Sequence, residues 1–118
     1  MESSALRHIL IVIAAVTSLT ACSDPPPPIG RDLPTDAQVF DQRLKDRYPV
    51  GSSEDNLKSE LQKERFSIAE DNNPAAQYRF SARYEAHNVV CKDVWKIFWS
   101  AEAGKITKIE GNTGSVCL

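Results

Sequence analysis

The spacing of apolar side chains changes along this chain of 118 residues, from a helical period to a strand period. Phe40, Leu44 and Tyr48 recur every four residues, which gives a helix one apolar stripe. From Tyr78 to Glu85 apolar and polar residues alternate, which is typical of a strand with one buried face, here the face of Tyr78, Phe80, Ala82 and Tyr84. Because the helical segments precede the strands, the sequence favours an α+β fold. We expect two layers, with two N-terminal helices packed on a three-stranded antiparallel meander.

Cap spacing predicts where both helices begin. Thr35 stands three residues before Gln38, as in a capping box, so the first helix is expected to start at Thr35 and to stop before Pro49. The second helix is expected to start near Ser52 or Ser53, because the acidic residues that follow suit the positive end of a helix dipole. Two apolar residues one turn apart are expected to be buried in it, Leu57 and Leu61.

Three strands are predicted after the helices, over residues 78–86, 89–101 and from 106 onward. A two-residue turn at His87-Asn88 joins the first two strands, and a turn that contains Gly104 joins the last two. In the first hairpin, pairing of Ala86 with Val89 places Tyr84 opposite Cys91 and puts every apolar pair on one face.

The second hairpin has one register that meets two independent requirements. Pairing of Trp99 with Ile109 keeps apolar residues on the buried face, whereas a slip of one residue places Lys108 there. The same register puts Cys91 directly opposite Cys117, within disulfide reach for an antiparallel pair. Such a bond, closing about 25 residues, stabilises a fold by about 3 kcal/mol in the chain-entropy model.

Asp93 conflicts with this alternation, because these registers place its carboxylate on the apolar face opposite Ala82. A β-bulge near residues 92–94 would turn the side chain outward. The alternative is a position at the rim of the sheet.

Residues 1–21 have the organisation of an export signal. A polar start with Arg7 precedes an apolar run of 11 residues, Ile9 to Leu19, whereas a helix that spans a bilayer needs roughly 20. The run ends in Leu19-Thr20-Ala21-Cys22, which resembles the lipobox of bacterial lipoproteins. We expect cleavage before Cys22, diacylglycerol on its sulfur and a further acyl chain such as palmitate. An ordinary secretory signal with a chance cysteine is the alternative.

Lipidation of Cys22 would explain the odd number of cysteines, three, because Cys91 and Cys117 are then left to pair in an oxidising compartment. Ser23 rather than Asp follows Cys22, which favours the periplasmic face of the outer membrane. Residues 22–34 contain four consecutive prolines and are expected to form the lipid anchor and a stiff spacer below a globular domain of residues 35–118. A PxxP ligand for a partner is the alternative interpretation of the prolines.

The composition does not favour catalysis. The formal net charge is −2, from 14 Lys and Arg and 16 Asp and Glu, so neither a polyanion-binding tail nor an acidic disordered segment is indicated. His87 is the one histidine left after processing, and no nucleophile stands out as its partner. His87, Cys91 and Cys117 offer three zinc ligands, but an exported protein favours the disulfide. We therefore predict no enzymatic activity, no cofactor, no metal and, from the compartment, no nucleic-acid partner.

The outward face of the predicted sheet is the candidate interaction surface. Positive charges there alternate with two apolar residues, while the helices are the more acidic side. Apolar anchors ringed by positive charge suit a protein partner or an anionic lipid headgroup. A solvated face whose lysine stems cover some apolar surface is the alternative. The residues of this predicted surface are Arg79, Arg83, Lys92, Val94, Lys96, Phe98 and Lys108.

Two segments resemble the SmpA/OmlA (BamE-like) family of small outer-membrane lipoproteins. Gly51 to Leu61 looks like that family's Gly-small-Ser/Thr helix start, followed by apolar residues at helical spacing. Trp99 to Ile109 is similar to the family's last hairpin, an aromatic strand, a glycine turn and two apolar residues three apart. The resemblance covers roughly residues 50–111. It implies a two-layer α+β fold and a non-enzymatic role in the cell envelope.

The leading functional hypothesis is a lipid-anchored, non-catalytic interaction module that serves assembly or maintenance of the envelope or outer membrane. It would meet the membrane through its N-terminal lipid and bind a protein partner or an anionic lipid headgroup through the outward face. The alternative is a periplasmic inhibitor of a hydrolase such as lysozyme, a role that small disulfide-bonded lipoproteins can fill.

Overall fold

The computed structural model describes residues 33–87 and 89–118. These residues form two helices, α1 (Ala37–Arg47) and α2 (Glu54–Lys63), and four strands, β1 (Ser67–Glu70), β2 (Phe80–His87), β3 (Cys91–Glu102) and β4 (Lys105–Cys117). The strands make one antiparallel sheet in the order β1-β2-β3-β4. The predicted α+β class is confirmed, and the predicted number of three strands is wrong. The predicted export signal, Cys22 and most of the spacer lie outside the described residues.

Each helix begins at a side chain that accepts hydrogen bonds from its first backbone N–H groups. Asp36, not Thr35, caps α1, and its Oδ1 accepts the N–H of Gln38 at 2.9 Å. A carboxylate at this place also interacts favourably with the helix dipole, so the cap lies one residue later than predicted. Ser53 caps α2, where its hydroxyl accepts the N–H of Asn56 at 3.2 Å.

The core lies between the helices and one face of the sheet. All five predicted stripe residues of the helices are buried, namely Phe40, Leu44, Tyr48, Leu57 and Leu61. The strands contribute Ala82, Trp95, Ile97, Trp99, Ile106 and Ile109. Trp99 is completely buried and donates its indole N–H to Glu54 Oε2 of α2 at 2.9 Å. This contact fixes the helix layer at one position over the strands.

The strand that the sequence analysis missed is β1. The chain turns from α2 into β1 at Arg65, whose φ is 67°, and β1 then pairs with the first half of β2, with Ile68 opposite Ala82. Ile68 is the residue of β1 that packs against the core. A strand of four residues is too short to show a recognisable alternation, which explains why three strands were predicted instead of four.

The register of β3 and β4 is the one that the sequence predicts. Trp99 lies opposite Ile109, and Cys91 lies opposite Cys117, with the two sulfurs at disulfide distance. The predicted register of this hairpin, which rests on the hydrophobic pattern and on the cysteine pair, is therefore confirmed.

The predicted register of β2 and β3 is wrong. Tyr84 lies opposite Trp95 instead of Cys91, and β2 extends through His87, which lies opposite Lys92, so His87 is not part of a two-residue turn. The shift of four residues is an even number, so the same side chains still point toward the helices. The alternation of apolar and polar residues determines which face of a strand is buried, but it does not distinguish registers that differ by an even number of residues.

Asp93 lies at the end of the sheet that carries the disulfide. It is partly buried between Ala86 and Ser115, and the Ser115 hydroxyl donates to its Oδ1 at 2.5 Å. The bulge predicted near residues 92–94 is wrong, because β3 pairs regularly there and its irregularity lies between Ser100 and Ala101. Asp93 therefore lies at the rim of the sheet, as in the alternative prediction, and the hydrogen bond from the Ser115 hydroxyl satisfies its carboxylate.

Candidate functional site

The sheet has a second face, which neither helix covers. Side chains alternate along each strand, so the residues between those of the core point away from α1 and α2. We call this the outer face. It comprises Ser67 and Ala69 of β1, Ser81, Arg83, Glu85 and His87 of β2, Lys92, Val94, Lys96, Phe98 and Ser100 of β3, and Lys108, Glu110, Asn112, Gly114 and Val116 of β4. Most of the predicted surface residues are on it.

Glu85 is the centre of a charge cluster at one end of the outer face. Its carboxylate accepts a hydrogen bond from Arg83 at 2.6 Å and lies 3.4 Å from Lys92 Nζ and 3.5 Å from His87 Nε2. The hydrogen bond from Arg83, with the nearby charge of Lys92, lowers the pKa of Glu85. One carboxylate is therefore shared between two cations, Arg83 and Lys92, so the cluster keeps an excess of positive charge.

Lys96 extends this positive charge toward β4. It lies directly between Arg83 on β2 and Asn112 on β4. Within residues 33–87 and 89–118, no carboxylate lies within ion-pair distance of its Nζ. Two cationic side chains that are cross-strand neighbours repel each other unless an anion lies near them. Glu85 supplies such an anion to Arg83, so Lys96 is the member of the pair that is suited to a negatively charged group of a partner.

Val94 was predicted to be an exposed apolar anchor, and that detail is wrong. The side chain points to the outer face, but only 6% of it is exposed. It lies in a cleft of about 210 Å³ whose wall includes Arg83 and Lys96. Gly114 lies opposite Val94, and a Cβ built there has no atom within 4 Å, so the cleft is open where a side chain would otherwise stand. The remaining lining residues are Asn112, Thr113, Ser115 and Val116.

An aromatic cluster occupies the other end of the outer face. Tyr78 lies over Phe98, with 5.8 Å between the ring centroids, and Lys108 Nζ lies 4.7 Å from the Tyr78 ring. The Tyr78 hydroxyl donates to Glu110 at 2.7 Å, and this hydrogen bond, with partial burial, raises the pKa of Tyr78 to about 12. Phe98 is consequently only partly exposed, because Tyr78 covers it.

Tyr78 was assigned to the buried face, and this prediction is wrong. β2 begins at Phe80, so the alternation that places Phe80 and Ala82 in the core does not extend back to Tyr78. Arg79 pairs with Glu70 at 2.8 Å, at the edge formed by β1, and is separate from the cleft. The structure thus brings Arg83, Lys92, Val94 and Lys96 together, groups Phe98 with Lys108, and leaves Arg79 apart.

A second polar site lies between the end of α1 and α2. An open groove of about 860 Å³ contains Arg47, whose Nε donates to Glu60 at 2.8 Å, and the hydroxyl of Tyr48 also donates to Glu60. Burial and the neighbouring carboxylate raise the pKa of Tyr48. The phenol therefore stays protonated, and the three side chains act as a clamp that joins the helices.

Two further properties bear on the site. In the part of the chain that the structure describes, no group of three or more His, Cys, Asp or Glu side chains is placed to hold a metal ion. Neither described helix is long and apolar enough to cross a bilayer.

No protein-family profile, curated protein or solved structure gives a significant match to this chain.

Proposed function

We propose that this chain is a lipid-anchored, non-catalytic interaction module of the bacterial cell envelope, which binds a protein partner on its outer face. The observation that carries the proposal is the cleft over Val94, open at Gly114 and bordered by Arg83 and Lys96. An apolar floor with charged groups at its margin is the arrangement found at protein interfaces, where a central pocket receives an anchor side chain.

The anchor is supported by the cysteines. Cys91 and Cys117 lie at disulfide distance in the folded domain, which leaves Cys22 as the third cysteine. Cys22 follows the apolar run and ends the Leu19-Thr20-Ala21-Cys22 sequence. Acylation there would hold the domain permanently at a membrane, since two or more chains anchor a protein firmly. The periplasmic face of the outer membrane, and a kinship to the SmpA/OmlA family, are parts of this proposal.

A protein partner fits the outer face better than a lipid headgroup does. Glu85 and Glu110 lie among the cations, with Glu85 bonded to Arg83 and Glu110 bonded to Tyr78. A protein surface can complement charges of both signs, whereas a phosphate would use only the cations of this face. Complementarity of this kind mainly determines specificity and the rate of association.

Site-specific photo-crosslinking in intact envelopes tests the proposal. A photo-reactive amino acid replaces Lys96 in the full chain, and a matched chain carries it in place of Lys105, an exposed lysine at the β3–β4 turn. The expected result is a discrete protein adduct from position 96 that position 105 does not give. The Arg83→Glu variant should diminish the adduct, because it reverses one charge at the border of the cleft.

The identity of the adduct separates the alternatives. A membrane-associated envelope protein supports the interaction module, and a soluble hydrolase such as lysozyme supports the inhibitor instead. Lipid adducts without protein adducts would favour a headgroup site. Equal adducts from positions 96 and 105 would contradict the assignment of the outer face.

A further inference from the structure

One end of the sheet carries most of the exposed large apolar side chains in the described part of the chain. Four of the six such side chains are there, Val89, Val90, Val116 and Leu118, with exposures of 92, 57, 63 and 105%. We call these four residues the apolar tip. The other two, Val39 and Val50, are on α1 and in the loop between the helices.

The four side chains of the apolar tip are held together by two links. Cys91 and Cys117 join the beginning of β3 to the end of β4 at disulfide distance. Beyond them the N–H of Leu118 donates to the carbonyl of Val90 at 2.9 Å. Val90 is therefore held beside the last residues of β4, so the exposed side chains of the apolar tip are grouped at this end of the sheet. A patch ordered in advance loses little conformational entropy when it is buried.

The apolar tip is at the end of the sheet where the preceding chain joins the domain. The carbonyl of Pro34 accepts the indole N–H of Trp95 at 2.8 Å, and the carbonyl of Thr35 accepts the hydroxyl of Thr113 at 2.8 Å. Trp95 is four residues from Cys91 along β3, or about 13 Å. From this point α1 extends toward the opposite end, where Gly51 donates its N–H to Ile106 at 2.8 Å.

The length of the chain between Cys22, the residue proposed to be acylated, and the domain limits how far the apolar tip can lie from the membrane. The ten residues from 23 to 32 span at most about 36 Å when fully extended. An acylated Cys22 would therefore keep the point where the chain enters the domain within about this distance of the bilayer. Cys91, which is next to the apolar tip, lies about 13 Å from that point along β3. Arg83 and Lys92 lie behind the tip and outnumber the one carboxylate between them, Glu85, so the net positive charge there favours a surface with anionic headgroups.

We propose that the apolar tip inserts into the interfacial region of an anionic phospholipid bilayer, beside the lipid anchor. The inference rests on the proposed function, because the acyl chains supply the first attachment and the tip supplies the second. Burial of aliphatic side chains at the lipid boundary is favourable in proportion to the apolar area removed from water. Attachment at both points directs this end of the sheet toward the membrane. Val116, which also lines the cleft, then lies at the lipid boundary, and the rest of the outer face is accessible to a protein.

Crosslinking to lipid in reconstituted vesicles tests this orientation. The full chain, purified from envelopes, is reconstituted into phosphatidylglycerol and phosphatidylethanolamine vesicles, with a photo-reactive amino acid in place of Val89. Lipid adducts are the expected result. The same amino acid at Val50, an equally aliphatic residue that is 72% exposed at the opposite end of the domain, should give none.

A substitution pair supplies the quantitative readout. In the chain with the Val89 probe, Val90→Asp with Val116→Asp should reduce lipid adducts by roughly tenfold or more, because two apolar contacts become charged. Val50→Asp is the matched control and should leave the yield unchanged. Circular dichroism of the buried Trp95 and Trp99 verifies that each variant is folded.

The outcomes distinguish the two proposals. If the chain floats with the vesicles but gives no lipid adduct at position 89, the proposed insertion of the tip is wrong. The proposed lipid anchor is then unaffected. A protein adduct at position 89 in envelopes, without lipid adducts, likewise overturns the insertion in favour of a docking site. A chain that fails to float overturns the anchor and the insertion with it.

Discussion

The backbone N–H of Gly111 in β4 donates to Oδ1 of Asp41 in α1 over 2.9 Å. The other carboxylate oxygen of Asp41 bonds to Lys45 Nζ at 2.6 Å. β4 is at the edge of the sheet, where backbone N–H groups have no neighbouring strand. The helix thus supplies the partner that a strand would supply, and it can approach closely because Gly111 has no side chain.

Gly111→Ala is predicted to destabilise the fold by about 1–3 kcal/mol, the usual cost of overpacking a core. A Cβ at this position would lie 2.4 Å from Leu44 Cδ1 and 2.9 Å from Phe40 Cδ1. Gly114→Ala in the same strand is the control, because no atom lies within 4 Å of its Cβ position; it should change stability by less than about 1 kcal/mol. Urea unfolding of both variants checks the difference, and equal effects would contradict the close packing of α1 on β4.

Neighbouring aromatic residues of β3 should differ sharply in their contribution to stability. Trp99→Ala removes a fully buried ring and the donor to Glu54, so it should cost about 3–5 kcal/mol. Phe98→Ala loses the contact with Tyr78 on the outer face and should cost roughly 1–2 kcal/mol. Chemical denaturation of the two variants measures both losses in the free energy of unfolding. A larger loss for Phe98→Ala would mean that the two faces of the sheet are reversed.

The bond between Cys91 and Cys117 should contribute about 3 kcal/mol to the free energy of unfolding in the chain-entropy model. A reductant should lower the urea midpoint of the wild-type chain and leave that of a Cys91→Ala, Cys117→Ala double variant unchanged. The oxidised wild-type chain, denatured and titrated for thiols, should show neither of these two cysteines. Two reactive thiols from this pair would contradict the register of β3 and β4.

Tyr78 should titrate late because its hydroxyl donates to Glu110. The pKa of Tyr78 is raised from 10.0 to about 12, so the neutral phenol stabilises the fold fully below pH 10 and this contribution is lost as the pH rises toward 12. Glu110→Gln should return the pKa of Tyr78 toward 10, while Glu102→Gln, an exposed control, should not. Phenolate absorbance, with Tyr78→Phe as the reference, follows the titration. An unchanged titration in Glu110→Gln would exclude the hydrogen bond as the cause.

The parts of the fold that the sequence predicts are those with a repeated signal. The spacing of Phe40, Leu44 and Tyr48 predicts the buried stripe of α1, because a helix repeats its faces every turn. The register of β3 and β4 follows from the pattern and the cysteines together, since Cys91 adds information that alternation lacks. The register of β2 and β3 has no such second marker, and an even shift leaves the side chains of β2 and β3 on their predicted faces.

The parts of the candidate site that the sequence does not predict depend on contacts between distant segments. Tyr78 precedes β2 and reaches Glu110 across β3, which no local period indicates. The cleft depends on Gly114, whose role is visible only when Val94 is known to lie opposite. Arg83 and Lys96 were both selected from the sequence, but their direct pairing depends on the corrected register of β2 and β3.

Mass spectrometry of the N-terminal fragment, from the full chain purified out of bacterial envelopes, determines whether Cys22 is the lipid-anchored first residue of the mature chain. A lipid-anchored module predicts a fragment that begins at Cys22, carries a diacylglyceryl group and a further acyl chain, and is absent from a Cys22→Ala variant. A fragment that begins elsewhere, or that carries an unmodified thiol at Cys22, would contradict the proposed lipid anchor.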